Sequence, residues 1–166
     1  MSQIKNLHKN RYGEMEAEFF FQYFNKDILL EIESDVSVEY AEKQVEYLNS
    51  MEEDIILEIC KYSLFFCKEF MRAYPDIDYP EGMGEIENDK DILRFMSIDR
   101  LYVEHCKPEN ENVKVLNLSG CCAWDEENGI QWLVKDGKVI YVGTWDDLSI
   151  WRSDLDNSIT NYVLRY

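Results

Sequence analysis

Polar and apolar side chains alternate through residues 14–24, in the run EMEAEFFFQYF. A period of two predicts a β-strand with one buried face. The turn-forming sequence Asn-Lys-Asp at residues 25–27 and the apolar run at residues 28–33 predict a second strand, so that the two strands form a hairpin. Residues 1–13 carry several basic side chains and no such alternation, and we expect them to be a frayed basic lead-in.

Two helices are predicted to follow the hairpin. Ser37 is a favourable N-cap for a helix that continues to about residue 49. A second helix covers about residues 51–74 and ends before Pro75. Polar residues recur along it at steps of three and four, and nearly every other position is apolar. Such a wide apolar surface predicts a long, central helix that lies across a sheet.

The second half of the chain contains four strand-like segments. They are residues 98–105, 113–118, 130–135 and 138–143. The dipeptide Asp136-Gly137 separates the last two and is a strong signal for a two-residue hairpin turn. This order of elements predicts a single α+β domain over residues 1–166. It begins with an N-terminal β-hairpin, continues with two helices, and ends in an antiparallel meander of about four strands.

The net charge of the chain indicates which kind of partner it binds more clearly than it indicates any reaction that it catalyses. The chain has 34 acidic residues against 17 Lys and Arg, a net charge of −17. Residues 31–58 carry ten acids and one base, and residues 76–91 carry seven acids and one base. Such segments repel nucleic acids and anionic membranes and attract a basic protein. The alternative is an acidic surface that serves solubility, since charge runs are usually solvated faces.

Five cysteines are scattered along the chain, at positions 60, 67, 106, 121 and 122. An odd number without regular spacing, in a chain with no recognisable export signal, predicts a protein of the reducing cytoplasm. Cys60 and Cys67 share one face of the second predicted helix, where we expect them to pack in the core. Cys121 and Cys122 adjoin on a predicted strand, so one thiol should be buried and the other partly exposed.

The signals for catalysis are weak. His105, Cys106 and Cys121 could form a thiol- or metal-dependent site, but their spacing matches no common zinc pattern. Nothing in the sequence places an orienting third group beside a Cys–His pair. The acids at residues 125–127 lack the ligand spacing of a calcium loop. We therefore predict no catalytic residue, no metal and no cofactor, and keep the enzyme as an alternative.

Four tryptophans, at positions 124, 132, 145 and 151, lie in the C-terminal part of the chain. Indole rings on a sheet are usually core residues. An exposed tryptophan beside acids, as Trp145 is beside Asp146, is also typical of a protein-binding surface with an aromatic anchor and a charged rim. We favour the core for each ring and keep the interface as the alternative.

The segment Gly120–Ile130 reads GCCAWDEENGI. Its Gly-x-x-x-Trp-Asp-Glu-Glu-x-Gly turn, followed by the Asp136-Gly137 hairpin and a closing Gly143, resembles a family of small bacterial domains of unknown function. Members of this group are similar to immunity proteins of bacterial toxin–immunity systems, including contact-dependent inhibition and polymorphic toxin systems. The resemblance implies a small cytosolic protein that blocks one cognate toxin, and it assigns no catalytic residue.

Charge and resemblance favour the same function. Our leading hypothesis is a non-enzymatic, cytoplasmic immunity protein that occludes a basic, nuclease-type toxin and binds neither nucleic acid nor membrane. One alternative is an acidic interaction module without a toxin partner, and the other is the enzyme around His105, Cys106 and Cys121. The candidate partner-binding residues are Glu39, Glu42, Glu46, Glu53, Asp76, Asp78, Glu85, Glu87, Asp125, Glu126, Trp145 and Asp146.

Overall fold

A seven-stranded β-sheet organises the molecule. A computed structural model describes residues 2–157 and 160–166 of the chain. The strands stand in the sheet in chain order and are β1 (Ile4–Lys9), β2 (Met15–Phe21), β3 (Lys26–Ile32), β4 (Met96–Val103), β5 (Val115–Cys122), β6 (Ile130–Lys135) and β7 (Lys138–Thr144). The helices are α1 (Val38–Asn49), α2 (Glu53–Ala73) and the short α3 (Tyr162–Arg165). Short 3-10 helices occupy Met83–Glu85, Asp89–Arg94, Pro108–Asn110 and Leu155–Asn157.

One pair of neighbouring strands in the otherwise antiparallel sheet is parallel, and we call this pairing the parallel joint. The strands β3 and β4 run parallel, and every other neighbouring pair is antiparallel. A parallel pair requires a long crossover, which α1 and α2 supply. Two ion pairs cross the joint: Arg100 Nη1 lies 3.0 Å from Glu31 Oε2, and Lys26 Nζ lies 2.7 Å from Asp99 Oδ1.

Helices α1 and α2 cover one face of the sheet and enclose the main core. Along β2 and β3 the inward positions are apolar and buried, as the period-two pattern predicts. From α2, Ser63 reaches β6 and accepts a hydrogen bond from the indole Nε1 of Trp132 at 2.8 Å. Cys60 and Cys67 are both buried in this core, which confirms the prediction made from their spacing.

The C-terminal segment covers part of the opposite face. Its apolar side chains at positions 148, 150 and 155 pack against residues from β5, β6 and β7. Three polar side chains hold its backbone, two from the sheet and one, Glu104, from the residue after β4. Asn117 and Gln131 each donate to the carbonyl of Leu148 at 3.0 Å, and Glu104 accepts from the backbone N–H of Ile150 at 2.8 Å. These polar groups are buried and fix an irregular segment onto the sheet.

The end of the chain passes the edge of β7 and returns to α2. Asn161 is fully buried and donates to the carbonyl of Ile140 in β7 at 2.8 Å. Tyr162 stacks on Phe66 of α2, with the ring centroids 4.4 Å apart. Both faces of the β7 side of the sheet are therefore covered, whereas β1 forms the other, polar edge.

The predicted fold class, an α+β domain with an N-terminal β-hairpin, two helices and then an antiparallel meander of about four strands, is wrong. Three strands precede the first helix, and all seven strands form one mixed sheet in which β-structure dominates. Residues 1–13 are not a frayed lead-in, because Ile4–Lys9 pairs with β2. The sequence hides this strand because Ile4 is the position of β1 that packs against the core, and the other five positions are exposed.

Candidate protein-binding surface

The acids of α1 line one side of that helix. Glu39, Glu42 and Glu46 are spaced by three and four residues, which places them on a common side. Glu39 and Glu46 are exposed, and Glu42 is half-buried and accepts a hydrogen bond from the hydroxyl of Ser2. This side faces solvent, because the buried residues of α1 occupy the opposite side.

The two acidic segments of the sequence meet beside α2. The segment 76–91 begins just after the C-terminal end of α2 and returns along the helix to its N-terminal end. There Lys90 Nζ lies 2.7 Å from Glu53 Oε1. A helix of 21 residues is about 30 Å long, so acidic side chains accompany α2 along that whole length. We call the surface formed by the acidic residues of α2 and of residues 76–91 the acidic band.

A cleft of about 480 Å³ lies at the N-terminal end of the band. Its acidic lining residues are Glu52, Asp54, Glu58 and Asp136, and Lys114 also lines it. The phenol of Tyr47 accepts a hydrogen bond from the backbone N–H of Gly137 at 3.2 Å, which joins α1 to the β6–β7 turn at this cleft. Burial is the largest cause that raises the pKa of Tyr47.

The Trp-Asp-Glu-Glu turn lies at the other end of the band. Its Trp and first acid make contacts that stabilise the fold. The ring of Trp124 packs edge-on against Phe66 of α2, with centroids 5.6 Å apart. The carboxylate of Asp125 is buried and accepts from Asn128 Nδ2 at 2.9 Å, so it closes the turn and is not displayed to a partner. Glu126 is exposed and remains a candidate contact residue.

Two glycines of this segment have separate geometric causes. A Cβ at Gly120 would lie 1.7 Å from the carbonyl oxygen of Ser97, because β4 and β5 approach closely at the bulge in β4. Gly129 has φ of +73°, in the left-handed region that favours glycine. The glycines of the signature are thus explained by the local fold.

A second concavity, which we call the α2-end groove, lies between residues 74–80 and 123–128 and has a volume of about 680 Å³. Apolar groups are unusually exposed beside it, with Tyr74 at 54% and Ile77 at 47%. The exposed acids Asp78, Glu126 and Glu127 line the groove. Trp124, which is 2% exposed, forms part of its wall. The groove therefore brings Asp78 and Glu126, from separate acidic stretches, to one place.

Comparison with known proteins adds a family. A family model matches residues 3–150, and its description is "Domain of unknown function (DUF6985)". The chain belongs to the DUF6985 family. No curated protein and no solved structure matches the chain. The DUF6985 match includes the whole sheet, both crossover helices and both concavities of the acidic band, and it stops before α3.

The remaining predicted contact residues of this DUF6985 chain are distributed unevenly. Asp76, Glu85 and Glu87 are exposed on the segment that follows α2, so they belong to the acidic band. Trp145 and Asp146 are exposed at the start of the C-terminal segment, on the opposite face of the sheet. There the indole of Trp145 lies 5.7 Å from the guanidinium carbon of Arg100. The structure does not bring this pair together with the helix-side acids.

The alternative enzyme site is not assembled. Cys121 pairs with Ser97 at the beginning of β4, whereas His105 and Cys106 follow the end of that strand. Eight strand residues span about 25 Å, which separates the two groups. Among the described residues, no cluster of three or more His, Cys, Asp and Glu side chains is arranged to hold a metal ion.

The vicinal cysteines differ as predicted, since Cys121 is exposed and Cys122 is buried. A hydrogen bond to the Asp99 carboxylate is the largest cause that raises the pKa of the Cys121 thiol. Burial raises the pKa of Cys122 to about 12. Neither environment favours the thiolate form that a nucleophilic cysteine requires.

Sequence reasoning missed the apolar part of the groove. Tyr74 and Ile77 lie in a stretch that the sequence indicated only as an acidic loop after Pro75. The available signal was the placement of Ile77 between two acids, Asp76 and Asp78, in a segment without strand or helix periodicity.

No helix in the described part of the chain is both long enough and apolar enough to cross a bilayer.

Proposed function

We propose that this DUF6985 protein is a non-enzymatic immunity protein. It binds a cognate bacterial toxin with a basic surface, of the nuclease type, and neutralises it by covering the surface that receives the substrate. The observation that carries this proposal is the acidic band along α2, which presents exposed carboxylates on the helical side of the molecule and ends in a groove with exposed apolar side chains.

Carboxylates can take the place of phosphates on a basic protein surface. A net charge of −17 attracts such a surface over a distance comparable to the ~8 Å screening length at physiological salt and raises the association rate. Charge at the rim mainly affects association, whereas buried apolar contacts control dissociation. The band and the α2-end groove support both steps.

A cytoplasmic location is part of the proposal. All five cysteines are free thiols, and three of them, Cys60, Cys67 and Cys122, are buried. Free thiols are the normal state of cysteine in a reducing compartment. A bacterial immunity protein that acts on a toxin inside its own cell would work in that compartment.

The proposal is tested with the product of the neighbouring gene. The two proteins are co-expressed and purified, and the association rate is measured by surface plasmon resonance at low and high salt. We expect a tight complex whose association rate falls at least about tenfold between the two salt concentrations, as steered association does.

Two variants with equal charge change locate the effect. Asp54→Asn combined with Glu58→Gln removes two charges from the acidic band, and we expect slower association. Asp147→Asn combined with Asp156→Asn removes two exposed charges outside the band, and we expect a smaller change. Absence of a complex at both salt concentrations contradicts the proposal, as does an equal effect of the two variants.

A further inference from the structure

We propose that the α2-end groove is a docking site for a segment of a partner protein in which an apolar side chain is flanked by Lys or Arg residues. The inference deepens the proposed function, on which it rests for the identity of the partner protein. The docking chemistry itself follows from the groove.

The apolar part of the groove offers a place for one side chain. Phe70 and Tyr74 stand with ring centroids 4.7 Å apart, and Ile77, Pro80 and Ala123 also contribute to the apolar lining. The volume of about 680 Å³ falls within the roughly 300–1,000 Å³ of typical ligand pockets. Exposure of a large aliphatic and a large aromatic side chain beside one concavity is typical of a binding surface.

The acidic rim of the groove favours cationic side chains of a binding partner. Asp78, Glu126 and Glu127 are exposed, and none of them makes an ion pair with another described residue. By contrast, Glu31 and Asp99 on the sheet are neutralised by Arg100 and Lys26. The charge of the rim therefore favours Lys or Arg side chains from outside, and it disfavours a second copy of this acidic chain.

The test uses the full chain and synthetic heptapeptides. The probe peptide is Lys-Arg-Lys-Leu-Lys-Arg-Lys with a fluorescent label, and binding is measured by anisotropy. One comparison peptide carries Ser at the centre, and another keeps the central Leu but replaces the flanking bases with Gln. We expect the probe to bind about tenfold more tightly than either, because it alone uses both the apolar lining and the rim. No binding of the probe, or equal binding of the three peptides, overturns the proposal.

Matched variants show where the peptide sits. Ile77→Ser changes an exposed side chain in the groove, and Leu57→Ser changes a similarly exposed side chain of α2 outside it. We expect the first to weaken probe binding about fivefold and the second to leave it unchanged within about twofold. Equal effects of the two variants would mean that the peptide binds the acidic band without using the groove.

The indole proton of Trp124 gives a direct readout. Its resonance in a heteronuclear NMR spectrum is assigned from the Trp124→Phe variant, and we expect its chemical shift to change when the probe binds, because the ring forms part of the groove wall. An unchanged resonance at saturating probe contradicts the docking geometry.

The docking proposal for the groove and the proposal of a toxin partner can be refuted independently of each other. A neighbouring-gene complex that is unaffected by Ile77→Ser refutes the groove and leaves the immunity function standing. Probe binding that depends on Ile77, together with no neighbouring-gene complex, supports the groove and refutes the toxin partner.

Discussion

The indole N–H of Trp132 donates a hydrogen bond to the hydroxyl of Ser63 at 2.8 Å, and both side chains are buried. The bond ties the middle of α2 to β6, in the centre of the molecule. It gives the helix a specific position on the sheet that apolar packing alone does not impose, since a polar group in the core must meet its partner.

Removal of this acceptor should destabilise the fold. In Ser63→Ala the indole N–H of Trp132 loses its partner while it stays buried, and we expect the free energy of unfolding to fall by about 1–3 kcal/mol. Urea unfolding followed by circular dichroism measures the change. Ser153→Ala, at an exposed position, serves as the control and should stay within about 0.5 kcal/mol of the wild type.

A methyl group at Gly120 should disrupt the sheet. Gly120→Ala places a Cβ against the backbone carbonyl of Ser97, which no side-chain rotation relieves, so β4 and β5 must separate. We expect a loss of more than about 3 kcal/mol, or failure to fold. Gly137→Ala is the comparison, because Gly137 has a positive φ and no atom within 4 Å of the added Cβ. Its cost should be the backbone strain of about 1–2 kcal/mol, and equal melting temperatures of the two variants would contradict the steric argument.

The reactivity of Cys121 should depend on Asp99. The backbone N–H of Cys121 donates to Asp99 Oδ2 at 3.2 Å, and the same carboxylate raises the pKa of the thiol. A raised pKa means less thiolate at a given pH, so the alkylation rate of Cys121 should rise only at higher pH than for an ordinary cysteine.

Asp99→Asn should therefore move the rate profile of Cys121 to lower pH. Alkylation by iodoacetamide, followed peptide by peptide with mass spectrometry, measures this shift. Glu127→Gln removes an exposed carboxylate of the neighbouring turn and should leave the profile in place. A profile that is the same in Asp99→Asn and the wild type would show that Asp99 does not control the thiol.

The C-terminal segment should come loose when Gln131 is removed. Gln131 donates to the carbonyl of Leu148 and accepts from the backbone N–H groups of Asp146 and Leu148. In Gln131→Ala we expect faster hydrogen–deuterium exchange over residues 145–150, with little change in the hairpin of β6 and β7 away from that site. Uniformly faster exchange across the whole sheet would indicate general destabilisation in place of local release.

Much of the fold could be read from residue patterns. The alternation at 14–24 and the turn signals at 25–27 and Asp136-Gly137 predicted β2, β3 and the hairpin of β6 and β7 within a few residues. Ser37 caps α1 through a hydrogen bond from the backbone N–H of Tyr40, as its position suggested. These features depend on local chemistry, which a single sequence records directly.

The arrangement of the strands could not be read in the same way. The pairing of β3 with β4 depends on contacts between distant parts of the chain, and β1 is an edge strand whose exposed polar residues give no periodic signal. The candidate surface shows the same limit. Asp125 was predicted to be a contact residue but is a buried turn residue. The only sequence signal for the exposed Ile77 was its placement between two acids, which does not fix whether the side chain is exposed.

The parallel joint between β3 and β4 also has a consequence for folding kinetics. Within the described sheet, strands β1–β3 and strands β4–β7 each pair with their neighbours in the chain, and such low-contact-order units form quickly. Pairing the two units requires closure of the loop that contains α1 and α2. The conformational entropy of this loop must be lost before β3 and β4 make any contact with each other. Formation of this joint, with the cross-strand pair of Arg100 and Glu31, is therefore the step that should limit the folding rate of the molecule.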